Sequence, residues 1–169
     1  MKITLYMATT INGYIAKSDG NTDWVCEIDW ELLQEQLKEN DAVIMGRKTF
    51  ETSEEDFPYG DCLNVVLTRD KNLLKDENNQ FFTNLDPEQL LEELEKRGKQ
   101  NILIIGGGEI NKLFLENGLV DELIVSVHPI VFGDGIKYSA SGLFEYELKL
   151  LDVKKLKQDL VQLKYRVLE

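Results

Sequence analysis

The sequence predicts one α/β domain built on a largely parallel sheet, with antiparallel strands added at its C-terminal end. Three observations carry this expectation. From Lys2 to Gly118, short apolar runs alternate with amphipathic helical stretches, and helical crossovers between successive strands make them parallel. After Val120 the strands follow one another without a helix, which favours antiparallel partners. No repeat, low-complexity linker or composition shift divides residues 1–169, and that length fits a single domain.

Each element has a local cause. In residues 2–8, Ile3, Leu5 and Met7 alternate with β-formers and predict the first strand. Residues 9–24 read as a long connection, because Asn12-Gly13 and Asp19-Gly20 are strong turn signals. Trp30, Leu33 and Leu37 recur at helical spacing and predict a helix over 29–40, with Asp29 able to cap it. Residues 41–46 read as a short buried strand, followed by the start of a short helix in RKTFETS. Strands are expected over 62–69 and 80–84. The clearest helix is 86–98, with Asp86 at the N-cap, Pro87 in the first position and Gly98 at the stop. Then come the apolar run NILII, three glycines, a helix to Asn117-Gly118, and a strand over 120–133. Residues 146–156 and 159–168 predict a closing antiparallel hairpin.

Composition narrows the function. Hydrophobic residues are 43% and charged residues 30%, ordinary for a soluble domain. No apolar run approaches the roughly 18 residues of a membrane span. The opening residues lack the pattern of a signal peptide, so a cytoplasmic location is expected. Cys26 and Cys62 stand far apart and read as free thiols. A net charge of −12 repels nucleic acid and anionic membranes. The expected partner is a small molecule, and no metal site is expected.

The run NILIIGGGEINKLF, residues 101–114, sends a strand into Gly106, Gly107 and Gly108 at the mouth of a helix. Glycines let a backbone approach a ligand closely, and the helix N-terminus offers free N–H groups to an anion. The pattern is not a Rossmann fingerprint, since Asn111 holds the third glycine position. VIMGRKTF repeats the arrangement, with Gly46 followed by Arg47, Lys48 and Thr49, and VVLTR ends a third strand in Thr68-Arg69. Carboxyl ends of neighbouring strands are where open α/β sheets bind ligands. These helix starts and cations could together hold a diphosphate and a further phosphate.

The stretches MATTINGYIA, DAVIMGRKTFE, NVVLTR, IIGGGEINKLFLENGLVDELIVSVHP and FGDG, in that order, cover most of the chain. Together they resemble the dihydrofolate reductase superfamily, and most closely its riboflavin-biosynthesis reductase branch. The resemblance implies a mixed sheet of about eight strands flanked by helices, NADPH as cofactor, and hydride transfer to an electron-poor C=N or C=O carbon. Position by position, it implies that Ala8 and Ile15 touch the nicotinamide side. Gly46, Arg47, Lys48 and Thr49 would hold phosphate, and Thr68 and Arg69 would flank the adenosine ribose. Gly106, Gly107, Gly108, Glu109 and Ile110 would wrap the diphosphate, with a cis bond between Gly106 and Gly107. Thr10, Trp24, Phe50 and Ser126 are the candidate substrate residues. The branch is usually dimeric, and Leu148, Leu150, Val161 and Leu163 of the hairpin would supply an interface.

Three departures bear on chemistry. Folate reductases govern protonation through a carboxylate on the first helix; Asp29 is the candidate, one residue out of register counting back from Gly46, with Glu27 and Asp23 as alternatives. An Arg that would bind a folate tail is absent, its region holding Asp61, Cys62 and Leu63. The Lys that riboflavin-type reductases carry near Tyr6-Met7 is also absent. His128, the lone histidine, has a structural reading and a proton-donor reading. The leading function is an NADPH-dependent reductase of a small heterocyclic or carbonyl substrate, similar to 5-amino-6-(5-phosphoribosylamino)uracil reductase. The alternatives are a true dihydrofolate reductase and a non-catalytic NADPH-binding protein.

Overall fold

The computed structural model describes residues 1–53 and 56–168. Glu54 and Glu55, expected with Asp56 to form a solvated loop, lie outside the described residues. The chain runs β1 (Lys2–Thr10), β2 (Tyr14–Ala16), α1 (Glu27–Glu39), β3 (Ala42–Gly46), α2 (Arg47–Thr52), β4 (Leu63–Leu67), β5 (Lys75–Glu77), β6 (Gln80–Thr83), α3 (Pro87–Lys96), β7 (Asn101–Ile104), α4 (Gly108–Glu116), β8 (Glu122–His128), β9 (Ile136–Lys137), β10 (Leu148–Lys155) and β11 (Val161–Val167).

Among the described residues, nine strands form one sheet in the order β10-β11-β8-β1-β7-β3-β4-β6-β5, and β2 pairs with β9 in a second, small sheet. The strands β8, β1, β7, β3, β4 and β6 are parallel neighbours. Antiparallel strands close both ends, β11 and β10 on one side and β5 on the other. The central strands β3 and β4 are buried along their whole length, which is why they read as unbroken apolar runs.

Alternation along β1 divides the core. Ile3, Leu5 and Met7 join one cluster with Leu90 and Leu94 of α3 and Phe114 of α4. Tyr6 faces the other cluster, with Leu37 of α1 and Phe82 of β6. Helix α3 starts as its sequence dictates: Asp86 Oδ1 accepts from the Gln89 amide at 2.9 Å, and Gly98 ends the turn at φ +74°.

The expected mixed sheet of about eight strands is present with nine, the charged β5 adding an edge. Three other expectations need correction. The 9–24 connection contains β2, which pairs non-locally with β9. The strand expected over 120–133 ends at His128, where Pro129 follows and lacks the N–H that would continue the ladder. Helix α1 begins at Glu27 with Cys26 as its N-cap, so Asp29 lies inside the first turn and caps nothing.

Candidate active site

The parallel strands bring the C-terminal ends of β1, β3, β4, β7 and β8 to one edge. Two strand-to-helix turns meet there. In the first, β7 leads through Gly106, Gly107 and Gly108 into α4. Gly106 has φ +95°, and a Cβ on it would lie 3.0 Å from Met7 Sδ. A Cβ on Gly108 would lie 2.7 Å from the Lys137 carbonyl oxygen. Both positions are therefore closed to side chains. The Gly106-Gly107 peptide bond is cis. Gly107 caps α4 without any side-chain bond, so the first N–H groups of that helix remain open to an anion.

The second turn carries β3 through Gly46 into α2, and the Gly46 amide donates to the Gly106 carbonyl at 2.9 Å. This bond locks the two turns side by side. A Cβ on Gly46 would lie 2.9 Å from Ile110 Cγ1, and one on Gly107 would fall between Thr49 Oγ1 at 3.6 Å and Ile15 Cδ1 at 3.9 Å. Gly46, Thr49, Gly106, Gly107, Ile110 and Ile15 thus share one small region. Thr68 is buried, its Oγ1 accepting from the Asp70 amide at 3.1 Å. Lys48, Arg69 and Glu109 are exposed. Arg47 is half-exposed and ion-paired with Glu51 one helical turn on, so this cation is partly neutralised. The uncapped glycines and the surrounding cations fit a dinucleotide phosphate.

Beyond Ala8, on the α1 side of β1 and β8, lies a buried polar cluster. Tyr6 Oη donates to Asp29 Oδ1 at 2.6 Å and reaches the Asp29 carbonyl at 3.2 Å. Tyr6 Oη lies 3.4 Å from Ser126 Oγ, which accepts from Gln162 Nε2 at 3.1 Å. Asp29, Tyr6 and Ser126 are all nearly sealed from solvent. Burial raises the proton affinity of Asp29 above the ordinary carboxylate range, against the opposing pull of the Ser126 and Tyr6 hydroxyls. Burial, then the Asp29 charge and hydrogen bond, hold the Tyr6 phenol well above its usual range. Of the two groups, Asp29 is the stronger acid.

The other acids considered lie elsewhere: Glu27 is exposed, and Asp23 is exposed and paired with Lys17 at 2.8 Å. His128 Nε2 accepts from the Cys26 amide at 3.3 Å, and Nδ1 lies 3.2 Å from the Ser126 carbonyl. That pairing assigns the neutral Nδ1–H tautomer and a structural role at the start of α1. Trp24 packs edge-on against His128 and Phe132, with ring centroids 5.1 and 5.5 Å away. Its buried Nε1–H has no partner among the described residues, an orphaned donor that a ligand can satisfy.

Two substrate candidates are otherwise engaged. The Thr10 hydroxyl donates to Asn12 and accepts from the Tyr14 amide, so it is spent on its own loop. Phe50 packs against Phe57 and Phe82, at 4.8 and 5.0 Å between centroids. Tyr6 and Gln162 were not singled out from the sequence; a bulky polar residue leading to Ala8 and Thr10 on one strand face was the available signal for Tyr6. Among the described residues no cluster of metal-ligating side chains occurs, no helix is long and apolar enough to cross a membrane, and both cysteines are free.

Sheet order, the paired glycine turns and the buried acid on the first helix define a dihydrofolate reductase-like domain. The chain belongs to the RibD C-terminal domain family, whose model matches residues 1–162. It is 34% identical to the uncharacterized protein YwjB of Bacillus subtilis (strain 168), over 97% of each chain. It is 28% identical to the riboflavin biosynthesis protein RibD of Corynebacterium ammoniagenes, over 83% of this chain and 47% of that protein. A crystal structure of a candidate riboflavin biosynthesis protein from Shewanella sp. PV-4 superposes over 100% of both chains, with a TM-score of 0.84 and 23% identity, and so shares the fold.

Proposed function

We propose that this chain is an NADPH-dependent reductase of a small heterocyclic or carbonyl substrate, of the kind acted on in riboflavin biosynthesis. The observation that carries the reading is a buried acid, Asp29, with raised proton affinity beside a strand whose neighbour ends in an uncapped glycine turn. Family membership and the RibD relative support the same reaction class.

NADPH would supply the hydride. Gly107 and the first turn of α4 would hold its diphosphate, Arg47, Lys48 and Arg69 its further phosphate, and Ala8 and Ile15 the wall at its reactive end. Asp29 would hold the proton that complements the hydride, and Trp24 would donate Nε1–H to a substrate oxygen or nitrogen. The buried surroundings of Asp29 keep bulk water from the reacting carbon. A folate tail would find Asp61 exposed and Cys62 buried where a cation is needed, so dihydrofolate is a poor substrate in this reading. The exposed apolar hairpin β10–β11 would pair two copies, and the working compartment would be the cytoplasm.

The test is NADPH oxidation against a panel of pterins, pyrimidines and quinonoid carbonyl compounds, alongside calorimetric NADPH binding. Turnover with a pyrimidine or carbonyl compound supports the reading. Tight NADPH binding with no turnover on any member would make the chain a nucleotide-binding module instead. Efficient turnover of dihydrofolate, at about 10⁴–10⁸ M⁻¹s⁻¹ in kcat/KM, would make it a folate reductase.

A further inference from the structure

We propose that Tyr6 and Gln162 are positioning residues that act as one directed chain of donors, fixing which oxygen of Asp29 exchanges its proton. This deepens the reductase reading above and rests on it for the role of Asp29. The chain crosses three strands and a helix: Gln162 on β11, Ser126 on β8, Tyr6 on β1 and Asp29 on α1. Gln162 and Ser126 are direct cross-strand partners, so the register of the C-terminal hairpin sets their contact.

The direction follows from donor chemistry. An amide NH₂ donates and does not accept. Gln162 Nε2 therefore donates to Ser126 Oγ, which leaves the Ser126 hydroxyl to donate to Tyr6 Oη at 3.4 Å. Tyr6 in turn gives its proton to Asp29 Oδ1 at 2.6 Å. With Oδ1 accepting from Tyr6, Oδ2 is the oxygen left to carry the Asp29 proton. Oδ2 takes no hydrogen bond among the described residues and is not among the side-chain oxygens sealed away without a partner.

The surroundings leave this task to neutral donors. Tyr6 from β1 bonds to the carboxyl, Ser126 from β8 stands beside it, Gln162 from β11 reaches it only through Ser126, His128 of β8 is the titratable group nearby, and no lysine or arginine among the described residues bonds to it. A lone buried carboxylate needs such donors to ionise at all. Removing the nearest one should raise its proton affinity further.

The experiment titrates the Asp29 side-chain carboxyl by carbon NMR in protein labelled at Asp, with Asp29→Asn to assign the signal. Wild type is compared with Tyr6→Phe, Gln162→Leu and the double variant; Phe fits the Tyr6 site, and near-UV circular dichroism checks that each variant folds. The expected result is an upward shift of about one pH unit in Tyr6→Phe, a smaller upward shift in Gln162→Leu, and a double variant no further displaced than Tyr6→Phe. No shift in either single variant overturns the proposal. Additive shifts also overturn it, because Gln162 would then act independently of Tyr6. If Tyr6→Phe fails to fold, Gln162→Leu decides alone: an upward shift supports the chain and none overturns it. The titration needs neither cofactor nor turnover. Its failure leaves the reductase reading standing, while failure of NADPH binding overturns that reading without touching the titration.

Discussion

Tyr6 Oη lies 2.6 Å from Asp29 Oδ1, joining the first strand to the first turn of α1 through the bond that supports the buried acid. Replacing Asp29 tests both what the acid does and what it costs.

Asp29→Asn is expected to lower turnover by about 10²–10⁴-fold, the usual contribution of a positioned acid, and to leave NADPH binding intact. The folded-state proton affinity of Asp29 is raised above the ordinary value of 3.8. The folded protein therefore binds more protons than the unfolded chain just above that pH, and the stability this gives is present below 3.8 and lost as pH rises through the folded value. Asn does not titrate. The melting temperature of Asp29→Asn should thus gain on wild type as pH is raised from about 4 towards neutrality, measured by thermal scans across pH.

The Arg47–Glu51 ion pair makes a paired prediction about cofactor choice. Arg47→Ala should weaken NADPH by roughly tenfold or more, the scale of a charge-assisted phosphate contact, and barely change NADH. Glu51→Gln frees the guanidinium and should tighten NADPH selectively. Calorimetry with both cofactors decides it; equal changes for the two would remove Arg47 from the phosphate site.

Asp41 Oδ2 accepts the backbone amides of Gln100 and Asn101 at 2.9 and 2.8 Å, which join the start of β3 to that of β7. These bonds, the Asn101 amide foremost, hold its carboxyl below the ordinary range. The stability they give is present above 3.8 and lost as pH falls through the lower folded value. Asp41→Ala should cost about 1 kcal/mol at pH 7, given its solvent exposure, and the difference should close in strong acid. Urea melts at several pH values would show it.

The two sheet edges differ sharply. Strand β5 is the charged triplet Lys75, Asp76 and Glu77, a composition that resists pairing. Strand β10 is eight residues long, with Leu148 at 41%, Leu150 at 50% and Val153 at 52% exposure. Light scattering at micromolar concentration should report twice the 19.4 kDa chain mass, and Leu150→Asp should return a monomer. A wild-type monomer would refute pairing through this edge.

Much of the fold was legible because its causes are local. Asp86, Pro87 and Gly98 mark α3 by their own backbone preferences, and β3 and β4 announce themselves by burial on both faces. Strands β2 and β9 were not legible, because two short segments far apart in sequence become strands only by finding each other. The candidate site divides in the same way. The glycine turns show in sequence because only Gly fits at positions 106 and 108. Asp29 was visible as an acid at a helix start, but its residue type suits a cap equally well, and only its contact with Tyr6 separates the two roles. Gln162 looked like a polar residue on a hairpin; its partner Ser126 lies across a strand pairing that no local pattern encodes.

Trp24 and Trp30 give the molecule a built-in optical signal. Trp30 is partly exposed and packs near Tyr59. Trp24 touches His128 and carries an indole N–H that waits for a partner. With Trp30→Phe in place, the remaining indole emission would come from Trp24 alone. Quenching or a spectral shift on adding a compound would then report occupancy directly, without cofactor or turnover, so ligands could be sorted by fluorescence before the reaction itself is known.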